Sequence, residues 1–219
     1  LYKAYRQMER TNKNEIIQLV EPRPNGRLLD CGCGDGEFTV RLANHARVAE
    51  AYGIERVDEH ITEASDRGVI VTKADLNDPL PYRDRFFDIV HANQIVERLS
   101  NADLFLAEAE RVLRPGGYAL FAANNLGSWH NVLSLALGVQ PASTPTHNEA
   151  VTANVFDPLQ DSHHTYQDES QVHVYSNRGL RALCSQHGFR VEATRTVGYY
   201  PLPPSLARLA CQIDSDRNT

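Results

Sequence analysis

The stretch Leu28-Leu29-Asp30-Cys31-Gly32-Cys33-Gly34-Asp35-Gly36-Glu37-Phe38 restricts the fold of this chain more than any other. A short apolar run ends in a carboxylate, glycines follow at alternate positions, and an amphipathic pattern through Phe38, Val40 and Leu42 begins at once. This order reads as strand, tight turn, helix. Glycine permits positive φ and lets a ligand come close to the backbone, and the helix that follows offers unpaired N–H groups at its start. A ligand is therefore expected at this turn.

Charge narrows the choice of ligand. A dinucleotide fingerprint requires G-x-G-x-x-G, but counting from Gly32 puts Glu37 at the third glycine, and counting from Gly34 puts Thr39 there. Asp30, Asp35 and Glu37 also surround the turn with carboxylates, which repel a pyrophosphate and suit a ligand carrying ammonium and sulfonium centres. The run from Leu29 to Gly36 resembles the first motif of class I S-adenosylmethionine (SAM)-dependent methyltransferases, (D/E)-x-G-x-G-x-G, in their small-molecule type 11 group. The resemblance implies a Rossmann-like α/β sandwich with a mostly parallel central sheet, helices on both faces and an inserted cap after the fifth strand. It implies SAM as cofactor and S-adenosylhomocysteine (SAH) as product. It also marks Asp30, Gly32, Cys33 and Gly34 as cofactor-binding candidates.

The segments behind the turn keep the same order. Ala51 to Glu55 reads as a strand ending in an acid about 20 residues past the glycines, where an acceptor for ribose hydroxyls is needed, so Glu55, with its neighbour Arg56, is the ribose-side candidate. Val69 to Leu76 is a β-branched strand reaching Asp75; the resemblance gives Asp75 and Leu76 the adenine, while Asp75 with Asn77 and Asp78 also reads as a turn before Pro79. Phe87 to Ala92 is a further strand, resembling the family's F-D-x-V motif, and Asn93 just past it is the candidate contact for the methionine end of SAM. Arg98 stands where the family often has histidine, and Glu97 is expected to brace the loop. Arg114-Pro115-Gly116-Gly117 ends a helix and turns the chain into a strand from Tyr118 to Ala123.

A single domain is expected: residues 1–25 as an N-terminal helix, 26–124 as the cofactor core, 125–175 as a substrate cap and 176–219 as a helix, a strand from Phe189 to Val197, and a tail. No clear seventh strand follows, so either the chain is truncated or Val172 to Tyr175 supplies the missing strand from the cap. A long irregular segment in a compact domain is usually functional, and here it would lie over the carboxyl ends of the strands. Leu1 is not an initiator methionine, which suggests a trimmed chain.

A net charge of −6 without a block of Lys or Arg disfavours a surface built on phosphate neutralisation, and small-molecule chemistry is favoured over nucleic acid. The longest apolar run, Val132 to Val139, is too short to span a bilayer, so no membrane partner and a cytoplasmic location are expected. The four cysteines suggest neither a disulfide framework nor a zinc site.

Methyl transfer from a sulfonium releases a neutral sulfide. The protein must hold the acceptor in line and, for an oxygen nucleophile, take its proton. The histidines His91, His130, His147, His163, His164 and His173 are the available bases, and His130 and His173, flanking the cap, are the catalytic candidates. The cluster Asp161, His163, His164, Asp168, Glu169 and His173 lacks convincing ligand spacing, and no metal is expected. A catalytically idle SAM-binding subunit and a nucleotide-dependent oxidoreductase are the competing readings. Oligomeric state cannot be read from the sequence.

Overall fold

The computed structural model describes residues 2–141 and 172–196. The elements in chain order are α1 (Tyr2–Leu19), β1 (Arg27–Cys31), α2 (Glu37–Ala46), β2 (Glu50–Glu55), α3 (Asp58–Asp66), β3 (Ile70–Lys73), β4 (Phe87–Asn93), α4 (Ala102–Val112), β5 (Leu113–Ala122), α5 (Trp129–Ala136) and α6 (Asn177–Gln186). A short 3₁₀ turn, Val96–Arg98, links β4 to α4.

The strands form one parallel sheet in the order β3-β2-β1-β4-β5. Its two central strands are the apolar runs legible in the sequence: Leu28, Leu29, Cys31, Phe87, Ile89, Val90 and Ala92 are all inaccessible to solvent, as strands covered on both faces must be. Alternation along each strand divides these residues between two cores. Leu28 and Ile89 pack with Ile16 and Val20 beside α1 and with Phe38, Leu42 and Ala46 of α2. Leu29, Val90 and Ala92 pack on the other face with Phe105, Leu106 and Ala109 of α4 and Cys184 of α6. At about 25 cal/mol per Å² of apolar surface, each such fully buried side chain contributes about 1.5–3 kcal/mol.

From β1 the chain builds outward through β2 to β3, then crosses back to place β4 on the other side of β1. Crossovers leaving two adjacent strands in opposite directions open a crevice at their carboxyl ends. The glycine loop lies at that crevice.

The structure corrects the expected boundaries in three places. β3 ends at Lys73 rather than running on to Leu76, because the Asp75 carboxylate accepts the Asn77 N–H at 2.9 Å and its carbonyl accepts the Asp78 N–H at 3.2 Å, closing a turn before Pro79. The Arg-Pro-Gly-Gly segment lies within the bounds of β5, but as a bulge: Leu113 pairs with Phe87 and the next partners are Tyr118 and Ile89. Gly116 turns there at φ +80°. A Cβ on Gly117 would come within 2.9 Å of the Asp88 carbonyl.

The third correction concerns Phe189 to Val197: residues 189–196 form no strand, and residue 197 lies outside the described part. Phe189 and Val191 do reach the core, Phe189 packing edge-on to Phe121 at 5.3 Å. β5 and residues 188–196 both border a cleft of about 1740 Å³, and no ladder joins them. Among the described residues, five strands therefore stand where a fuller sheet was considered. Tyr175 makes a single parallel bridge to Asn125 and no strand. Residues 142–171 of the expected cap and the tail from 197 lie outside the described residues.

Candidate functional site

The loop after β1 turns through Gly32, Gly34 and Gly36, all at positive φ (78°, 54° and 78°). Their missing side chains face different surroundings. A Cβ on Gly32 would collide with the Ile95 side chain, and one on Gly36 would lie 2.8 Å from the Ala64 Cβ of α3, so both glycines exist for packing. Nothing lies within 4 Å of the space beside Gly34. Of the three, Gly34 alone opens onto free space.

The second strand holds this loop in place. Glu55, at the end of β2, accepts the Gly34 N–H on Oε2 at 3.0 Å and the N–H groups of Arg56 and Val57 on Oε1 at 2.7 and 3.1 Å. Its carboxylate thus lies against the open side of the loop with acceptor capacity to spare. Arg67 clamps the loop from α3, bonding the Asp35 carbonyl at 2.6 Å and lying 3.3 Å from its carboxylate. These contacts keep local acids close together without destabilising the turn.

Asp30 is only 3% exposed and lies beneath the loop. Its carboxylate accepts the Thr39 hydroxyl at 2.5 Å and meets His91 Nδ1 at 2.6 Å. Cys33 is likewise buried, its sulfur directed at Gly53, where a Cβ would come within 2.5 Å. Burial, aided by the nearby charges of Asp30 and Glu55, pushes the Cys33 thiol up to about 12, so it is an inert packing group. The Gly32 and Cys33 N–H groups both bond the Ile54 carbonyl, at 2.9 and 3.1 Å.

On the neighbouring strand ends, Asp75 holds its turn through Oδ1 and faces Arg56 at 3.4 Å through Oδ2. Hydrogen bonds from the Asn77 backbone and side chain, with Arg56 nearby, hold its carboxyl below the usual range. Leu76 is buried in the core beside it. The turn reading of Asp75 is thus realised in the geometry, and its second oxygen remains at the surface next to Arg56.

Past β4, two buried acceptors have no partner: Asn93 Oδ1 and Glu97 Oε2. Glu97 is 1% exposed, and desolvation raises its pKa above the ordinary carboxylate value. Its other oxygen takes the Asn124 N–H at 3.4 Å. Its carbonyl accepts N–H bonds from Val172 and His173 at 2.8 and 2.9 Å, tying the return of residues 172–175 to the tips of β4 and β5. Residue types marked Glu97 as a brace of the loop; that its carboxyl is buried with one oxygen unpaired shows only in the structure.

The His173 ring lies 6.0 Å from that of Tyr175. The backbone of His130 is in the first turn of α5, and its side chain lies outside the described residues. His147, His163, His164, Asp161, Asp168 and Glu169 also lie outside them. The large cleft along β5 reaches the site only at its rim, through Asn93, Gln94 and Asn124, and does not include the glycine loop. The loop, with its fixed acceptors, is the better-defined site of the two.

Residues 29–121 match the family described as Methyltransferase domain. The chain is 36% identical over 114 residues to 27-O-demethylrifamycin SV methyltransferase of Amycolatopsis mediterranei, covering 48% of this chain and 40% of that protein. It spans about two fifths to half the length of such curated relatives. Among solved structures, it superposes with a TM-score of 0.64 and 16% identity on the Haloferax volcanii complex between the Trm112 methyltransferase activator and a methyltransferase, over 92% of this chain and 78% of that one. It superposes with a TM-score of 0.60 and 20% identity on a SAM-dependent methyltransferase of Thermotoga maritima, titled a possible histamine N-methyltransferase, over 87% and 75% of the two chains. These structural likenesses speak to the fold.

Proposed function

We propose that this chain, whose residues 29–121 match a methyltransferase domain, is a class I SAM-dependent enzyme that transfers the methyl group of SAM to a small-molecule acceptor. The observation that carries this reading is the geometry around Gly34: an open cradle at the sheet's crossover crevice, its N–H held by the carboxylate of Glu55. In this reading Glu55 accepts the ribose hydroxyls, Asp75 with Arg56 and Leu76 borders the adenine, and Asn93 serves the methionine end. Gly32, Cys33 and Asp30 shape the loop from beneath.

SAM, when bound, supplies an activated methyl group whose departure leaves a neutral sulfide. The chain's task is alignment and dryness. An acceptor held close to and in line with the methyl gains most of its rate from lost translational freedom. His173, whose N–H bonds the Glu97 carbonyl in the turn after β4, and His130 on α5 are the groups proposed to take a proton from an oxygen acceptor. The relative named for 27-O-demethylrifamycin SV supports a small-molecule acceptor. The cap segment 125–175 is the proposed source of acceptor selectivity. No described helix is long and apolar enough to cross a membrane.

Calorimetric titration with SAM, SAH and NAD tests the cofactor half of this proposal. SAH binding with none of NAD is expected, and the reverse would return the oxidoreductase reading. A screen of alcohols, phenols, acids and amines with methyl-labelled SAM tests the acceptor half: label should appear in an acceptor, whereas SAH binding without any transfer would identify an idle subunit.

A further inference from the structure

Beneath the glycine loop lies a histidine to which the reading above gives no task. Asp30 of β1 and His91 of β4 are register partners across the sheet. Their side chains meet at 2.6 Å, and the two residues are 3% and 2% exposed. Thr39 of α2 occupies the other carboxylate oxygen. An ionised Asp30 can only accept, so Nδ1 of His91 carries the hydrogen, and Nε2 is left as a lone pair in the neutral ring. That Nε2 is buried without a partner.

The pair is packed among apolar groups, with the thiols of Cys31 and Cys33 near Asp30 and two cations near Phe38. The Phe38 ring of α2 meets the imidazole edge-on at 5.5 Å, and Leu120 of β5 is its partner on the other strand. Lys13 of α1 and Arg41 of α2 lie over the Phe38 ring, at 5.4 and 5.7 Å from its centre. Asn93, two residues along the same face of β4, presents the other orphaned acceptor. The charge of the Asp30–His91 pair is thus set by one proton. With neutral His91 the pair is an anion; with imidazolium it is neutral.

We propose that His91 is a positioning residue of the cofactor site, holding the Asp30 carboxylate under the glycine loop so that binding of the cationic cofactor is tied to the neutral imidazole. The proposal rests on the SAM reading. A buried negative charge next to the loop favours the ammonium of the methionine portion, and favours SAM further because its sulfonium adds a second positive charge. Protonating His91 cancels that field at a low-dielectric position, where charge has its largest effect.

Titration calorimetry with SAH and with SAM from about pH 8 to about pH 5.5, the range in which histidine changes charge, tests it. Wild-type affinity for SAH should fall about tenfold toward the acid end, with a steeper fall for SAM. His91→Asn keeps a donor for Asp30 but cannot titrate. It should match wild type within about threefold at pH 8 and lose the pH dependence. His91→Val, which removes the donor, should bind weakly throughout, with circular dichroism confirming the fold. A wild-type profile flat across the range, or a His91→Asn profile that follows wild type, overturns the proposal while leaving the cofactor reading intact. Failure of wild type to bind SAM or SAH at pH 8 overturns both.

Discussion

At the residue scale the glycine loop separates into parts that the sequence presents as equivalent. Gly34 faces open space and Gly36 faces Ala64, so substitutions at the two should fail in different ways. Gly34→Val is expected to abolish SAH binding in calorimetry because its side chain enters the open space beside the loop, and to lower the thermal midpoint through backbone strain alone, since a β-branched residue is strained at φ +54°. Gly36→Ala should lower stability by about 1–3 kcal/mol in chemical denaturation, from overpacking against α3 and from a positive φ that alanine tolerates poorly. Glu55→Ala should weaken SAH by about 1.5–3 kcal/mol, the usual value of hydrogen bonds to a charged group; an unchanged dissociation constant would remove Glu55 from the site. The acids around the loop were legible as types, but their partners were not. Asp30 was expected at the ligand and lies under the loop with Thr39 and His91, a pairing made by strand register across the 61 residues that separate Asp30 and His91.

Among the elements, the segment between β3 and β4 depends most on a single side chain. Arg111 of α4 bonds both oxygens of Glu108 at 2.7 Å, Asp84 at 2.6 Å, and the carbonyls of Tyr82 and Leu80 at 2.9 and 3.1 Å. Glu108 in turn accepts the Leu80 N–H at 2.8 Å. Arg111→Ala removes five donated hydrogen bonds at once, leaving their acceptors without them, and should destabilise the fold by about 2–4 kcal/mol. The bond from Arg111 is the main cause that holds the Glu108 carboxyl below its ordinary value. A depressed folded pKa stabilises the protein above the unfolded value and loses that contribution as pH falls through the folded value. The stability gap between wild type and Arg111→Ala should therefore be full near neutrality and shrink below about pH 4, as measured by urea denaturation at several pH values. The existence of the helices was readable, since their apolar periodicity reports a buried face whichever sheet supplies it, but not every end: the N-terminal helix expected over 1–25 stops at Leu19. Strand ends were less so. β3 stops at Lys73 because a side-chain turn at Asp75 competes with the ladder, and the alternating residues 189–196 border the same cleft as β5 with no ladder to it.

For the whole molecule, the test is linkage between ligand and fold. SAH at a hundredfold excess over its dissociation constant should stabilise the protein by about 2.7 kcal/mol and raise the thermal midpoint by about 5–10 °C, whereas NAD at equal concentration should leave it unmoved. An equal shift with NAD would contradict the site as built here. The sequence by itself determined the layered α/β class, the order of its first five strands, the position of the ligand loop and the cofactor that its charges and family resemblance favour. Each of these depends on local pattern: apolar period, turn chemistry, and an acid at a fixed distance from the glycines. Only the tertiary structure decided which glycine opens onto free space, that Cys33 is buried packing, that Asp30 is paired with His91, and that Glu97 has a desolvated carboxyl while its backbone carbonyl holds residues 172 and 173. Those outcomes depend on which strands lie side by side and at what register, and a parallel sheet brings together residues that chain order keeps far apart.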